Sequence, residues 1–390
     1  MKSIQEFREF DPVRYGDSSH PIFYVVDWLP PDFGAVGQYA VIFAQEFARS
    51  GRTVYLIGLT SKGATATVER IGTGVLETRK IESPTYDKSR ALKRLSWTII
   101  TNFRLMREVI RNPASKRATV LFTGSPPFML FFAFLAKVTR NVRLVYRITD
   151  FFPEVIIADR GKQSIGLWLL QRIVWFLRRR IDTFEALGLD QAALLTKGGV
   201  AHQRIVLKRD RSPVRLTGSE SPLPLPKELR GRRVLLYSGN FGVAHEADTL
   251  VQGLIRHHRV GSDQFALWLN ASGSKVYSVA QELKAAEIPF KASAPVDLEK
   301  LPALLAAADV HLITLRQGFS GVVLPSKIYA CIQSAKAILF VGPASSDVHL
   351  LCSQASDTLY ERVEPGDVVG FSAALDRLSG MLADPKSKQH

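Results

Sequence analysis

The residues with the most chemistry in their spacing run from Gly318 to Val341. Gly318, Ser320 and Gly321 form a small-residue loop after an apolar strand, His311 to Leu315. Pro325 suits the first position of a helix, and Ser326 and Lys327 would then lie in its first turn. A second apolar strand, 337 to 341, closes the unit. Glycines let backbone N–H groups approach a ligand, and the start of a helix favours anions. A hydroxyl and an ammonium in that turn complete a cradle for a phosphate or diphosphate. An ordinary strand–turn–helix with a solvated lysine fits the same pattern.

Carboxylates come next. Asp150 follows the apolar run 142–148, and a carboxylate at a strand's C-terminal end points toward a ligand crevice, the place for a general base. Capping the turn at Pro153 is its structural alternative. Glu154 is the second candidate, with support of a first helical turn as its plainer role. His245, just past Gly242, could touch phosphate or sugar, or simply begin a helix.

Short apolar strands alternating with helical patterns must position these groups, which argues for α/β layers around parallel sheets. In the first half, strands are expected at 22–26, 53–59, 119–122 and 142–148. The turn after the first carries Gly34 and Gly37. In the second half, strands are expected at 234–238, 265–269, 310–315 and 337–341, with Gly239, Asn240 and Gly242 in the turn after the first. Neither glycine turn has the third glycine of a dinucleotide fingerprint, so NAD is not implied. The Pro- and Ser-rich stretch 211–230 reads as a linker between a first domain, 1–210, and a second domain, 231–390. The last helix is a candidate to pack back on the first domain.

A length of 390 residues suits two domains, each with its own core. Cys331 and Cys352 show no metal-ligand spacing, and a reducing compartment is expected. The polar start of the chain has no secretory pattern, and no apolar run reaches the roughly 20 residues of a membrane span. Charge is lopsided: of a net +15, the first 210 residues carry +13. One domain should therefore face an anionic surface.

The stretch from Arg90 to Arg111 shows how. Leu92, Leu95, Ile99, Phe103, Met106 and Ile110 project onto a stripe about 80° wide, expected to face the core. Lys93, Arg104, Arg107 and Arg111 form a second face with Trp97 and Ile100 among them. Such a face suits acidic headgroups. Trp168 and Trp175, ahead of three consecutive arginines, extend that reading. Nucleic acid is not expected, because the cations mingle with large apolar residues and no recognition motif is visible.

Four segments carry a family resemblance. Trp28-Leu29-Pro30-Pro31 through Tyr39 is similar to a first glycine loop, and Thr123-Gly124-Ser125-Pro126-Pro127 to a Ser-Pro-Pro segment. Arg147 to Glu154 is similar to an Arg-Asp-Leu-Trp-Pro-Glu segment. Tyr237 to Gly242, with Leu324 to Tyr329, is similar to a donor loop and its Pro-Ser-Lys helix. Together they resemble the family 4-like bacterial glycosyltransferases of capsule, exopolysaccharide and O-antigen assembly. The resemblance implies the GT-B fold, two Rossmann-like domains facing a central cleft, with 1–210 the acceptor-side, membrane-associated domain and 231–390 the donor-side domain. It also implies a nucleotide-sugar donor, a polyprenyl-diphosphate-linked saccharide acceptor, and a cytoplasmic site at the inner face of the bacterial inner membrane. No cofactor or metal is expected, since no Asp-x-Asp motif ends a strand.

The family's paired donor glutamates would fall at Val322 and Ala330, and neither is acidic. Inverting glucuronosyl-type enzymes of the same fold use a lysine there instead. A nucleotide-sugar 2-epimerase and a non-catalytic scaffold of a polysaccharide assembly complex share the architecture and stand as alternatives.

Overall fold

The computed structural model describes Tyr15 and residues 19–32, 35–83 and 91–383. Its contacts divide the chain into two compact units, 1–209 and 210–390.

The first unit is built on a sheet in the order β3-β4-β2-β1-β5-β6-β7-β8. Its elements are β1 (Ile22–Trp28), α1 (Ala35–Arg49), β2 (Thr53–Thr60), β3 (Thr65–Ile71), β4 (Gly74–Glu82), α2 (Ala91–Arg111), β5 (Thr119–Thr123), α3 (Met129–Arg140), β6 (Arg143–Ile148), α4 (Glu154–Arg160), α5 (Ile165–Arg178), β7 (Thr183–Ala186), α6 (Leu189–Lys197) and β8 (Ile205–Leu207). Strands β1, β2 and β4 to β8 pair in parallel, and β3 joins β4 antiparallel at the edge. The central strands are apolar runs buried on both faces, as parallel sheets demand. The chain leaves β1 leftward through α1 and returns rightward through α2, α3 and α5. Right-handed crossovers therefore place α1 on one face of the sheet and those three helices on the other.

Gly37 shows why α1 fits so closely on β1. A Cβ at this position would lie 1.9 Å from the Trp28 carbonyl oxygen, so only glycine admits the approach. Gly34 lies outside the described residues.

The second unit carries an all-parallel sheet in the order β11-β10-β9-β12-β13-β14. It comprises β9 (Arg233–Asn240), α7 (Asp248–Arg259), β10 (Phe265–Ser272), α8 (Val276–Ala285), β11 (Phe290–Ser293), α9 (Leu301–Ala306), β12 (Val310–Thr314), α10 (Ile328–Gln333), β13 (Ala337–Val341), α11 (Asp347–Gln354), β14 (Tyr360–Val363) and α12 (Val368–Ala383). The stretch expected to be a linker packs Val214, Leu216, Leu223 and Leu225 on this unit's core, so it is a covering segment of the second unit. Helix α12, expected to return to the first half, belongs by its contacts to the second unit and lies on α7.

The face of α2 is the main correction. Its buried side is Thr98, Thr101, Asn102, Leu105, Met106 and Val109, while Leu95, Ile99 and Phe103 are exposed. Of the stripe expected in the core, Leu95, Ile99 and Phe103 thus point outward, Ile110 is half-buried and Met106 is buried, while the Leu92 side chain lies outside the described residues. Asn102 donates to the Pro127 carbonyl at 2.7 Å, which ties the polar inner face to the loop before α3.

Candidate functional site

The second unit gathers its candidates at one place. In its sheet the strand order reverses between β9 and β12, and ligands of open parallel sheets bind at the carboxyl ends of strands at such a point. Gly239 and Asn240 end β9, and Gly242 and His245 follow. The loop after β12 carries Ser320, Gly321, Ser326 and Lys327.

Lys327 is the central group. Its helix is shorter than expected: Ser326 and Lys327 lie in the turn before α10, whose six residues begin at Ile328. The expected dipole contribution of a long helix is therefore small. The lysine itself is more informative. Its Nζ is buried, makes no hydrogen bond among the described residues, and lies 3.1 Å from the centroid of the Tyr237 ring. Burial pushes its amine well below the ordinary lysine range. The cation–π contact offsets only part of the desolvation of an ammonium.

Gly239 faces the lysine, since a Cβ there would lie 3.9 Å from Lys327 Cε. Its φ of +109° is a conformation that glycine adopts freely and other residues resist. The Tyr237 hydroxyl donates to the Asn240 carbonyl at 2.8 Å and so holds that turn. Asn240 is exposed. Gly321, at φ +73°, is a second glycine held in the left-handed region, and the Ser320 hydroxyl lies 3.1 Å from that of Ser345.

His245 has a scaffolding task. It is buried, and its Nδ1–H donates to the Thr314 carbonyl at 2.8 Å, linking the loop after β9 to the end of β12. Burial and then nearby Lys327 push its imidazole down to about 3, so the ring is neutral at physiological pH. Two cations that sequence reasoning missed fasten the same loop. Lys275 donates to the His245 carbonyl at 2.8 Å, and Arg316 to the Val243 carbonyl at 3.0 Å. Val322 and Ala330, the positions of the family's glutamates, are buried apolar side chains.

The first unit has a second constellation. Its strand order reverses between β1 and β5, and three neighbouring strand ends, β1, β5 and β6, supply Asp27, Ser125 and Asp150. Ser125 donates to Asp27 Oδ2 at 2.6 Å. A Cβ on Gly124 would come within 3.1 Å of both the Asp150 carbonyl oxygen and the Tyr146 hydroxyl, so the strand ends converge closely. Asp150 reaches solvent, yet surrounding protein and the Asp27 carboxylate push its carboxyl up to about 6. Burial also raises Asp27, against the pull of its Ser125 hydrogen bond. Sequence reasoning overlooked Asp27. Its signal was the one used for Asp150, a carboxylate closing an apolar strand.

Glu154 is committed elsewhere. Both of its oxygens accept from the fully buried Arg178, at 2.7 and 3.1 Å. A third Arg178 bond, to the Phe152 carbonyl at 2.9 Å, fixes the turn that follows Asp150. Glu154 thus positions that turn and is not open to an acceptor.

The membrane candidates separate. Trp97 donates to Ser83 and stacks on Trp28 with ring centroids 6.0 Å apart. Trp175 lies under Gly198 and beneath the Arg178 guanidinium. Both are packing residues. Trp168, Arg107 and Arg111 are exposed, and Arg104 is half-buried. Among the described residues no helix is long and apolar enough to cross a membrane, and no group of His, Cys, Asp or Glu is placed to hold a metal ion.

No protein-family model matches the chain. A probable glycosyltransferase, WbjE of Pseudomonas aeruginosa, is 24% identical over 307 residues, which are 76% of this chain and 74% of that protein. Among solved structures, an α,α-trehalose-phosphate synthase (UDP-forming) from Burkholderia vietnamiensis superposes with a TM-score of 0.60 at 12% identity, covering 93% of this chain and 92% of its own. Anabaena Alr3699/HepE in complex with UDP and glucose gives 0.61 at 12% identity, covering 94% and 91%. These likenesses bear out the GT-B fold and the resemblance to bacterial glycosyltransferases drawn from the four sequence segments.

Proposed function

We propose that this chain is a glycosyltransferase of cell-surface polysaccharide assembly. It moves a sugar from a nucleotide-diphospho-sugar to a polyprenyl-diphosphate-linked acceptor, working from the cytoplasmic side at an acidic membrane surface. The single observation that carries the reading is the buried amine of Lys327, which has no hydrogen-bond partner among the described residues, at the switch point of the second sheet. The WbjE likeness and the structural neighbours, one crystallised with UDP and glucose, support it.

In this reaction the acceptor hydroxyl attacks the anomeric carbon, and the bond from that carbon to the diphosphate oxygen breaks. The hydroxyl proton passes to Asp150, and the nucleoside diphosphate leaves with the added negative charge. Asp150, at about 6, is mostly ionised at neutral pH yet basic enough to take a proton. Lys327, with backbone N–H groups of the Gly239–Gly242 and Ser320–Gly321 loops, meets the charge on the leaving group. A preorganised donor in a dry site stabilises developing charge more than water can. The lysine also supplies the positive charge that a metal gives in other transferases.

Thermal denaturation with UMP, UDP, GDP and their sugar conjugates tests this directly. A cognate diphosphate at about a hundredfold excess over its Kd should stabilise the fold by roughly 2.7 kcal/mol, and the monophosphate by much less. If no nucleoside diphosphate shifts the transition, the donor site is misassigned. Release of nucleoside diphosphate only when lipid-linked acceptor is added separates a transferase from an epimerase or a scaffold.

A further inference from the structure

We infer that the outward faces of α2, α3 and α5 form one docking surface for an anionic lipid bilayer, entered by apolar side chains and rimmed by arginines. This deepens the proposed reaction by saying where the chain meets the membrane that holds its acceptor, but its evidence is independent of turnover.

The first ground is the inverted amphipathicity of α2 between Leu95 and Phe103; further along, Leu105, Met106 and Val109 are buried in the ordinary way. A helix packed on a sheet in water buries its large apolar residues and exposes its threonines. Here Thr98, Thr101 and Asn102 are inside, and Leu95, Ile99 and Phe103 are outside, Phe103 with 54% of its surface exposed. Exposing them forgoes about 25 cal/mol for every Å² left in water. An apolar environment on that side removes the penalty.

The second ground is continuity. Helix α3 packs against α2 on one side and α5 on the other. Between α2 and α3 runs a shallow groove of about 180 Å³, with Phe103, Met106, Phe132 and Leu135 in its walls and Arg107 and Arg111 beside them. On α3, Leu135 and Val138 are exposed, Val138 by 78%. On α5, Trp168, Leu169, Ile173 and Phe176 lie on one face of the helix, and Ile165 at its start is 86% exposed. An apolar surface spread over three helices is far more than the scattered exposed side chains of an ordinary monomer.

The third ground is charge, which selects the occupant. Glu108 is the only acidic residue in the three helices, and it is paired with Arg79. Lys93, Arg107, Arg111, Arg172, Arg179 and Arg180 are exposed around the apolar zone. Arg172 stacks on Trp168 at 4.9 Å and Arg180 on Phe176 at 3.4 Å, so each guanidinium sits beside a ring. Rings and aliphatics at the centre with cations at the edge match acyl chains below anionic headgroups. A second copy of the chain would bring like charges together across a two-fold contact. Nucleic acid would leave the aliphatic centre unmatched.

Sedimentation of the full chain with large vesicles tests the surface. The chain should pellet with vesicles of equal phosphatidylglycerol and phosphatidylcholine and stay in solution with phosphatidylcholine alone. Phe103→Ser combined with Phe176→Ser, both at exposed positions, should lower partitioning at least tenfold with the thermal transition unchanged. Arg107→Glu with Arg111→Glu should do the same and flatten its salt dependence. Trp168 emission should move to the blue on binding, a change missing in Trp168→Phe. Three results would overturn the inference: no pelleting of the wild type with anionic vesicles, serine variants that pellet like wild type, or wild-type self-association abolished by the serine substitutions. A thermal shift with nucleoside diphosphate that survives in the serine variants would leave the donor site standing whatever the vesicles show.

Discussion

Lys327 Nζ lies 3.1 Å from the centroid of the Tyr237 ring, beside the turn where Gly239 takes a φ of +109°. Among the described residues this nitrogen has no hydrogen-bond partner, and the ring face beside it carries no negative charge. An ammonium desolvated in this way is costly to the free protein and useful to an anion that reaches it.

Lys327→Met separates those two effects. Methionine keeps the volume and drops the charge, so the free protein should gain stability, with Tm rising by a few degrees. Binding of nucleoside diphosphate should fall at least tenfold. Paired thermal scans with and without UDP read both quantities at once. A variant that keeps its nucleotide response would remove Lys327 from the site.

Proton linkage follows from the same burial. The folded-state pKa of Lys327 is depressed, so over the window between it and the unfolded value the folded chain binds fewer protons than the unfolded one. Stability from this group therefore rises as pH rises toward the ordinary lysine range. A bound diphosphate reverses the shift by favouring the charged form. Calorimetric titration in buffers of different ionisation enthalpy should show proton uptake on diphosphate binding by the wild type and none by Lys327→Met.

Asp150 sets the acid limb of the rate. With its carboxyl at about 6, kcat/KM should fall as pH drops through that value, because the base becomes protonated. Asp150→Asn should cost about 10²- to 10⁴-fold in kcat. Asp27→Asn removes a like charge, so the acid limb should move to lower pH while substrate binding changes little. A limb that stays in place would make Asp27 a support for Ser125 alone.

These two aspartates show what the sequence made legible. Apolar runs such as 337–341 and 234–238 stand where buried parallel strands form, since burial on both faces leaves little room for polar residues. Asp150 could be found because it closes such a run, and Asp27 closes another by the same rule. The edge strand β3 could not be found: its residues are almost all exposed, so no alternation marks it. For α2 the period identified a helix, but a helix with apolar and basic faces does not say which side meets the sheet. Side-chain pairing was equally hidden. Nothing in the spacing of Glu154 and Arg178 announces that they meet inside the first unit.

The Glu154–Arg178 pair gives a stability prediction distinct from catalysis. Arg178 is fully buried and donates to both carboxylate oxygens and to the Phe152 carbonyl. Removing one partner strands the other charge away from water, so Glu154→Ala or Arg178→Ala should cost about 3–5 kcal/mol in denaturant unfolding. Glu154→Leu combined with Arg178→Met should recover much of that loss. Single variants that unfold like the wild type would mean the pair is solvated.

Gly37 gives the sharpest steric prediction. An alanine Cβ there would sit 1.9 Å from the Trp28 carbonyl oxygen, a backbone atom that cannot swing aside as a side chain can. Helix α1 must then move off β1, opening the contact between Phe43, Phe47 and the strand core. Alanine has the better helix propensity by about 1 kcal/mol, so an exposed Gly→Ala change in a helix would stabilise. Here the clash outweighs that gain, and Gly37→Ala should lower stability by several kcal/mol. Since Trp28 directly follows Asp27, the same displacement should lower turnover even where the variant remains folded. Unfolding midpoints and kcat measured together check this, and a Gly37→Ala chain as stable as the wild type would show that α1 and β1 are not packed this closely.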